Sequence, residues 1–425
     1  MKIHNEQLLE NFYKHDKLNV AILSDIFYPN LGGAAVVAKE MAEAFFRNKD
    51  VNVVVITGEV KGFTDDLDFP IIRCKALRIP KALGDSLPIP NFDHKFKKLI
   101  KKLNLDIIHL HTVFGICTFG LKFAKKNNIP VVMHGHSKFN EEYKTIMKNK
   151  FIYKIITKRA YNIISKTDLI LPVSEHTKQN YLLNCTTPPP MFVLPNTTNL
   201  KLLENKDNKI ENLFKEKYNI LPSDNVLLWV GRIEIECKNL DFLFNSLKIL
   251  KDKQFNFKLF IVGSGKDEKA LKQLCEKLGL DDNIIFVGQI KDRILLSKYY
   301  YFSNLLCFPS TVDNCPIVKL EAGSQKTPTL AIRGSASAEV IVDGFNGYTC
   351  ELEENAFADK IIQIFSDKDK LKEVSDNAYK TLNIGWDAVA QKLVEKYKEL
   401  IDKNKKNWKN ISISKQKIYP LWRIA

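Results

Sequence analysis

The sequence predicts an α/β protein with two parallel-sheet domains. Short apolar runs typical of buried strands alternate with stretches of helical periodicity, and this alternation occurs twice along the chain. A chain of 425 residues is also too long for one ordinary core. The proline-rich run TTPPP at 186–190 and the polar run after Asn196 mark a link. We therefore predict an N-terminal domain over 1–200 and a C-terminal domain over 201–404.

Composition is typical of a soluble globular protein, with 45% hydrophobic and 27% charged residues. No apolar run approaches the roughly 18 residues that a membrane span needs, and the first residues lack the apolar region of a signal peptide. We therefore expect a cytoplasmic protein. The eight cysteines are scattered without a CxxC pair, a pattern typical of reduced core residues rather than of disulfides or a metal site.

The formal net charge of +15 predicts an anionic partner, and nucleic acid, anionic lipid and nucleotide phosphates all meet this condition. Two predicted basic helices stand out. In 94–103 an apolar stripe is flanked by five lysines, and 138–166 holds eight basic residues against two acids. Such helices are typical either of a solvated surface or of contact with anionic lipid. We predict contact with an anionic membrane surface, on the inner face of the cytoplasmic membrane.

The first half contains five strand-like runs. Strands are predicted at 19–24, 51–57, 106–111, 131–133 and 169–173. After the first of them, Gly32 and Gly33 open a helix. Two glycines at this point let the backbone approach a ligand closely; the alternative is a tight turn that needs glycine only for its dihedral angles.

Histidines stand at the ends of two of these strands. DIIHLH contains His109 and His111, and MHGHS contains His134 and His136. Side chains at the carboxyl ends of parallel strands face the crevice where ligands bind. His134 is the strongest catalytic candidate, and the other three are expected to be structural hydrogen-bonding residues. The HxH pairs could indicate a metal, but no third and fourth ligands cluster nearby, so no metal is predicted.

The second half repeats the pattern more clearly. Strands are predicted at 226–230, 258–262, 283–287, 305–308 and 329–332, followed by helix from 356 to 403. Arg232 and Lys238 frame the turn after the first of these strands and suit a diphosphate. Residues 405–425 form a basic tail whose aromatic residues favour docking, and we expect it to pack back on the N-terminal domain.

The segment PSTVDNCPIVKLEAGSQKTPTLA, 309–331, predicts a strand end, a loop, a helix and a strand. A helix beginning near Pro316 loses no backbone donor to the proline, and its free amides at about 315–318 would form an anion site. Asp313 lies in the loop, and Glu321 lies inside the helix beside that site. This unit offers phosphate donors and two carboxylates suited to sugar hydroxyls. Because ligand groups follow strands in both halves, the site is expected in the cleft between the domains.

These motifs carry a family resemblance over nearly the whole chain. The matching pieces, in order, are the early double glycine, DIIHLH, MHGHS, VSEHT, VLPN, VGR with its following lysine, VGSG, FVG, PSTVDNCPIVKLEAG and AEVIVDGFNG. In this order and spacing the chain resembles a family-4 glycosyltransferase. The resemblance implies a GT-B fold, with two Rossmann-like domains facing across a cleft.

The resemblance also implies roles at matching positions. Arg232 and Lys238 would neutralise the donor diphosphate in place of a divalent metal, so neither a metal nor another cofactor is expected. Gly33 and the backbone amides near Pro316 and Ile317 would also lie at the phosphates. Gly32, Gly33 and His134 would lie on the acceptor side.

The acidic motif supplies the rest of the implied site. Glu321, the second acid of the Glu-x7-Glu motif, would bind the ribose hydroxyls. Asp313 occupies the place of the first acid and would contact the donor sugar, together with Asn314 and Cys315. The implied catalytic residues are His134, Asp313 and Glu321.

The implied activity is a retaining transfer of a sugar from a nucleotide-sugar, UDP- ahead of GDP-, to a glycan or lipid-linked acceptor in cell-surface polysaccharide or glycolipid synthesis. Two alternatives stay open. One is another GT-B chemistry, such as a nucleotide-sugar epimerase or a phosphorylase. The other is a basic nucleic-acid-binding protein, which would need stacking aromatics among its cations. The basic runs lack them outside the tail, so nucleic acid is not the predicted partner.

Overall fold

The computed structural model describes residues 1–14, 16–30, 32–78, 86–140, 149–204 and 209–406. They form two compact units. The first unit is discontinuous in sequence: it contains the chain up to Pro195 and again from Gly385 onward. The second unit spans Asn196–Ile384.

The first unit is built on a seven-stranded sheet and a separate hairpin. Its strands are β1 Lys2–His4, β2 Leu18–Leu23, β3 Val51–Gly58, β4 Ile71–Cys74, β5 Ala76–Arg78, β6 Ser86–Pro88, β7 Ile107–Leu110, β8 Val131–Gly135 and β9 Leu169–Pro172. The sheet order is β1-β4-β3-β2-β7-β8-β9, and only the β1–β4 pair is antiparallel. Every residue of β2, β3 and β7 is buried, as expected for parallel strands covered on both faces.

Helices cover this sheet between its strands. They are α1 Gly33–Arg47, α2 His94–Ile100, α3 Gly115–Asn127, α4 Lys150–Ile164 and α5 Glu175–Asn184. The β2–β7 pair is where the strand order reverses, so the loops after these two strands flank the position where open α/β sheets bind ligands.

The second unit is a six-stranded parallel sheet. Its strands are β10 Asn225–Val230, β11 Phe257–Val262, β12 Ile284–Gly288, β13 Leu305–Phe308, β14 Thr329–Ile332 and β15 Tyr348–Cys350, in the order β12-β11-β10-β13-β14-β15. The order reverses between β10 and β13, which are direct neighbours through Leu227 and Leu305. The loops after these two strands therefore flank the ligand-binding crevice of this unit.

Eight helices are described in the second unit and one more follows it. They are α6 Lys209–Tyr218, α7 Ile235–Lys238, α8 Leu240–Asp252, α9 Glu268–Leu278, α10 Arg293–Phe302, α11 Val318–Ser324, α12 Glu354–Ser366, α13 Lys368–Leu382 and α14 Trp386–Lys406. Apolar clusters line both faces of the sheet, one around the fully buried Trp229 and the other around Phe260.

The last helix, α14, belongs to the first unit. Trp386 Nε1 donates to Glu40 Oε2 on α1 over 2.9 Å, and Arg47 pairs with Asp387 over 2.6 Å. The domain division predicted from the sequence, which placed 201–404 in one domain, differs from this arrangement at residues 385–404. The docking depends on contacts between parts of the chain more than 300 residues apart, which local patterns do not encode.

The alternating pattern predicted the main elements correctly. All ten predicted strands are present, with ends shifted by no more than two residues. The five strands that the prediction missed are β1, β4, β5, β6 and β15, and none of them exceeds four residues. The stretch from 356 to 403, predicted to be helical, consists of the three helices α12, α13 and α14. An α/β fold of two parallel-sheet units is confirmed.

The two predicted basic helices differ in the structure. In α2 the apolar stripe of Phe96 and Ile100 is buried in the core. Of 138–166, residues 141–148 lie outside the described residues, and α4 accounts for most of the rest. Its side chains Phe151, Ile152 and Ile155 are exposed, Phe151 to 73%. The predicted docking of the tail concerns residues that, beyond Lys406, also lie outside the described part. Among the described residues, no helix combines the length and apolarity needed to cross a bilayer.

Candidate active site

The predicted donor-binding residues gather at the carboxyl end of the second sheet. Arg232 and Lys238 follow β10, and Asp313 follows β13, its neighbour at the reversal of strand order. Glu321 lies on α11, one loop further along the chain. The structure therefore places the two loops and the following helix, which carry these four residues, at one edge of the sheet.

Lys238 and Asp313 are directly bonded. The Lys238 Nζ lies 2.6 Å from Asp313 Oδ1 and 2.7 Å from Oδ2. The two loops are tied beside this pair: Asn239 Nδ2 donates to the Pro309 carbonyl over 3.0 Å, and the Ser310 hydroxyl donates to a carbonyl of α7 over 3.3 Å. Lys238 was predicted to bind the diphosphate and Asp313 to bind the sugar. The structure places these two side chains in direct contact.

Arg232 is placed differently. Its side chain is 71% exposed, and its Nε lies 3.4 Å from Glu234 Oε1, a loose surface pair. The turn behind it is tightly packed: a Cβ at Gly263, where φ is +148°, would lie 1.8 Å from the Gly231 carbonyl oxygen. Glycine is required at 263 both for the backbone conformation and for space, and the turn presents Arg232 to solvent.

Glu321 is fully buried and holds two partners. Arg293 Nη1 donates to Oε1 over 2.6 Å, and the Tyr300 hydroxyl donates to Oε2 over 2.7 Å. Burial and the neighbouring Glu321 charge hold the pKa of Tyr300 well above its usual range, so the hydroxyl keeps its proton. Sequence reasoning missed both partners. The available signal was the Asp292-Arg293 helix start just after β12, at the same end of the sheet.

Side-chain hydrogen bonds to backbone carbonyls fix the loop between Asp313 and α11. Asn196 Nδ2 donates to the Cys315 carbonyl over 2.7 Å, and the Ser337 hydroxyl donates to the Asp313 carbonyl over 3.4 Å. Asn314 and Cys315 are both nearly buried. These bonds fix the backbone that was predicted to contact the sugar.

Helix α11 begins later than predicted. Ile317 is its N-cap and Val318 its first residue, two positions after Pro316. Pro316 has no amide hydrogen, so it cannot be one of the phosphate donors assigned to this backbone. Ile317 keeps a backbone amide and remains a predicted phosphate contact.

A buried lysine lies behind this loop. Lys319 Nζ donates to the Ser337 carbonyl over 2.6 Å, and burial lowers the pKa of Lys319. Its charge therefore faces the loop interior rather than solvent. Nothing in the sequence pattern distinguished this residue from an exposed helical lysine.

In the first unit, the four histidines of the two HxH pairs form one stack. Strands β7 and β8 run parallel with His109 opposite Val132. Since side chains two apart in a strand share a face, both pairs project on one side of the sheet. Ring centroids lie 4.8 Å apart for His109 and His111, 5.0 Å for His111 and His134, and 4.3 Å for His134 and His136.

The stack is neutral. Burial lowers the pKa of His109 and of His136 to about 3, and it lowers those of His111 and His134 well below the usual range. His109 Nδ1 bonds the Tyr397 hydroxyl of α14, and His111 Nδ1 lies 3.0 Å from His136 Nε2. These bonds fit the structural hydrogen-bonding role expected of His109 and His111, and His136 shares one of them.

Three of the four histidines come close enough together to offer ligands to one metal ion. No third ligand was expected near either HxH pair, yet His109, His111 and His134 each offer a nitrogen within 4.8 Å of the others. Their rings are stacked at interplanar angles of 22° to 37°. A metal lies near the plane of each imidazole that binds it, whereas these rings face one another with centroids 4.8 to 5.5 Å apart. The histidines therefore form a stacked core, and the absence of a metal stays a prediction.

His134 does not occupy the position expected of a catalytic residue. It lies inside β8, it is fully buried, and among the described residues neither ring nitrogen has a hydrogen-bond partner. A residue in the last positions of a parallel strand is still covered by the sheet's flanking layers. His136, the first residue beyond β8, is only half-buried.

Gly32 and Gly33 are both exposed at the start of α1. Gly32 is the N-cap with φ −65°, which any residue adopts, and Gly33 has no positive φ. A Cβ at Gly33 would meet nothing within 4 Å. The alternative that glycine serves only the turn's dihedral angles is therefore wrong, and close approach of a ligand stays a prediction.

The fold matches solved glycosyltransferases. Sucrose-phosphate synthase from Thermosynechococcus elongatus aligns with a TM-score of 0.73 at 19% identity, over 91% of this chain and 100% of that chain. Anabaena Alr3699/HepE, solved in complex with UDP and glucose, aligns with a TM-score of 0.69 at 17% identity, over 90% and 99%. These neighbours and the two parallel-sheet units place the chain in the class of GT-B-fold proteins.

Sequence comparison narrows this class to a family. Residues 31–202 match the family described as Glycosyltransferase Family 4, and 211–381 match Glycosyl transferases group 1. The chain is 24% identical over 412 residues to α-monoglucosyldiacylglycerol synthase of Acholeplasma laidlawii, covering 92% of this chain and 99% of that protein. It is 26% identical over 300 residues to the capsular glycosyltransferase CapH of Staphylococcus aureus, covering 69% and 76%. The chain belongs to the family-4 glycosyltransferases.

Proposed function

We propose that this enzyme transfers a hexose from a UDP-sugar, with retention, to a lipid or lipid-linked glycan acceptor at a membrane surface. The solved neighbour Alr3699/HepE is described with UDP-glucose, and one relative is named as a synthase of the glycolipid α-monoglucosyldiacylglycerol. The observation that carries the proposal is the Lys238–Asp313 pair at the strand-order reversal, with Glu321 on the next helix.

In this proposal two cations replace a metal at the donor diphosphate. Lys238 is pre-positioned by Asp313, and the exposed Arg232 is free to swing onto the phosphates. The backbone amide of Ile317 and the open N-terminus of α1 at Gly33 supply further donors. We expect activity to survive chelation of divalent cations.

The sugar and ribose contacts follow from the acidic motif. Asp313, with the backbone at Asn314 and Cys315, contacts the donor sugar. Glu321 accepts hydrogen bonds from the ribose hydroxyls. Each carboxylate bonds a cation and can accept further hydrogen bonds from hydroxyl donors.

The chemistry proposed is a front-face displacement. The bond from the sugar's anomeric carbon to the diphosphate oxygen breaks, and a bond from the acceptor oxygen to that carbon forms on the same face. The acceptor's proton passes to the departing phosphate oxygen. Stabilisation of the negative charge on the leaving diphosphate by Lys238 and Arg232 is then the main catalytic contribution.

On the acceptor side, we assign to His136 the place first given to His134. His136 is half-buried beyond the end of β8 and neutral because burial lowers its pKa to about 3. A neutral imidazole next to the reacting carbon can accept or donate a hydrogen bond without a charge. Gly32 and Gly33, which are exposed at the start of α1, are also assigned to the acceptor side.

The nucleotide is tested by thermal shift. UDP, GDP, ADP and their glucose conjugates are added to the wild type, to Glu321→Ala and to a control, Glu268→Ala, which removes an exposed carboxylate paired with Lys272. A ligand at a hundredfold excess over its Kd stabilises the folded protein by about 2.7 kcal/mol. We expect the uridine series to stabilise the wild type and the control, and to lose most of that effect in Glu321→Ala.

Two results would contradict the proposal. A shift with the guanosine or adenosine series alone would exclude a UDP donor. Release of free sugar phosphate, or isomerisation of the donor sugar, would favour a phosphorylase or an epimerase.

A further inference from the structure

The Glu321 carboxylate is enclosed by two side chains from one helix. Arg293 is the first residue of α10, and Tyr300 lies seven positions later, two turns further on. Residues with this spacing share one face of a helix. That face meets α11, where Arg293 Nη1 and the Tyr300 hydroxyl each take one oxygen of the carboxylate, at 2.6 and 2.7 Å.

The frame that holds these two donors is itself fixed. Asp292 caps α10 by accepting from the Ile294 amide over 2.8 Å. At the other end, the Thr327 hydroxyl donates to the Tyr300 carbonyl over 2.5 Å. Both ends of the helix are thus anchored, which fixes the backbone positions from which the two donor side chains extend.

Arg293 and Tyr300 compensate the electrostatic cost of burying the Glu321 carboxylate. The Glu321 side chain is 2% exposed, and a buried carboxylate is costly unless it is paired and hydrogen-bonded. Arg293 supplies the opposite charge while its own side chain remains 40% exposed. Each carboxylate oxygen accepts up to two hydrogen bonds, so one donor on each leaves one acceptor position per oxygen.

We propose that Arg293 and Tyr300 are positioning residues that hold the Glu321 carboxylate oriented toward the ribose hydroxyls of the donor nucleotide. This inference rests on the proposed function. Two remaining acceptor positions match two hydroxyl donors, those at the 2′ and 3′ carbons. A carboxylate that cannot turn away leaves an unpaired acceptor when one hydroxyl is missing, and such sites discriminate strongly. Arg293 and Tyr300 thereby set the preference for ribose over deoxyribose.

The test compares UDP with 2′-deoxy-UDP by calorimetry. The proteins are the wild type, Arg293→Gln, Arg293→Lys, Tyr300→Phe and a matched control, Arg333→Gln, which removes an exposed arginine paired with Glu351 in the same unit. We expect the wild type and the control to prefer UDP at least tenfold. Arg293→Gln should weaken UDP binding about tenfold and bring the preference to within about threefold, with partial recovery in Arg293→Lys.

Three outcomes would overturn the inference. Wild-type preference retained in both Arg293→Gln and Tyr300→Phe would show that neither residue positions the carboxylate. Equal weakening of both nucleotides, with the ratio unchanged, would show a structural role only. Absence of any nucleotide binding by the wild type would remove the proposed function and this inference with it, whereas the first two outcomes leave that function standing. If Arg293→Gln fails to fold, the inference is tested with Tyr300→Phe alone, because that substitution removes one oxygen and no charge.

Discussion

Single side chains in the donor site are held by partners of opposite charge. Lys238 and Asp313 bond each other, both partly shielded from solvent, and Arg293 holds Glu321. A bound diphosphate would compete with Asp313 for the Lys238 ammonium, and a bound sugar would offer Asp313 hydroxyl donors in exchange. In the proposed site the two members of this pair would therefore serve different parts of the donor, Lys238 the diphosphate and Asp313 the sugar.

This division predicts different effects of two substitutions. Lys238→Ala removes a cation from the leaving diphosphate, so we expect kcat to fall about 10²- to 10³-fold. Asp313→Asn removes a sugar contact and also a competitor for the Lys238 ammonium, so UDP should bind at least as tightly as to the wild type while turnover of UDP-glucose falls. Steady-state kinetics and UDP titration measure both. The control is Lys248→Ala, an exposed lysine paired with Asp252; equal UDP affinity in Lys238→Ala and the wild type would contradict the assignment.

The two histidines of MHGHS also predict contrasting variants. His134 is buried without hydrogen-bond partners among the described residues, so replacement by an apolar side chain of similar volume, His134→Leu, should leave stability and activity nearly unchanged. His136→Ala removes a half-buried side chain beyond the strand end and should reduce kcat about 10²-fold. Melting temperature and turnover are measured for both. Loss of turnover in His134→Leu with an unchanged melting temperature would restore the original assignment.

Paired strands account for the histidine stack. Because β7 and β8 run in parallel register, two HxH motifs 25 residues apart place four rings on one face. Burial keeps them neutral. Unfolded histidines titrate near pH 6.5, so between that pH and about 3 the unfolded chain binds protons that the folded unit does not.

Because the unfolded chain binds more protons than the folded unit in this pH range, acidification destabilises the folded unit. The free energy of unfolding of the first unit falls as pH drops below about 6.5, by about 1.4 kcal/mol per pH unit for each histidine that stays neutral. The buried Asp25, whose pKa burial raises, offsets part of this loss because it gains a proton in the folded state first.

All eight histidines of the chain precede residue 196, so the second unit is an internal control. Hydrogen exchange measured at neutral and mildly acidic pH, corrected for the intrinsic rate, should show protection lost in β7 and β8 well before β10 and β11. Equal loss of protection in the two units would contradict the expected effect of the stack.

At the scale of the whole molecule, the predicted membrane contact rests on the net charge of +15 and on an exposed apolar patch. On α4 the patch Phe151, Ile152 and Ile155 lies among exposed Lys154, Lys158 and Arg159. Cations beside apolar side chains are typical of a helix that lies in a membrane interface. On α2 the apolar stripe is buried, which leaves that helix only its lysines for an electrostatic contact.

Vesicle binding separates these contributions. We expect sedimentation with phosphatidylcholine vesicles that contain phosphatidylglycerol, and little binding without it. Replacing all three patch residues by serine should reduce binding at least about tenfold, because each buried apolar side chain contributes roughly 1.5 kcal/mol or more. The control is Leu213→Ser, a comparably exposed leucine of the second unit. Unchanged binding in the triple variant would remove the membrane role of α4.

Much of this architecture was readable in the sequence. Strand and helix positions depend on the spacing of apolar residues along a short stretch, and Arg232, Lys238, Asp313 and Glu321 could be placed at strand ends because that placement is local. The roles of these residues stay predictions, and so does the expectation that the two units face each other across a cleft.

Other features needed the folded chain. Arg293 and Tyr300 meet Glu321 from 28 and 21 residues away, His109 stacks near His134, and α14 docks on a helix that began more than 300 residues earlier. Such contacts depend on sheet register and on which helix faces pack together. Apolar periodicity states only that a face is buried, not what it is buried against, and this is why the partners of Glu321 and the burial of His134 emerged only from the packing.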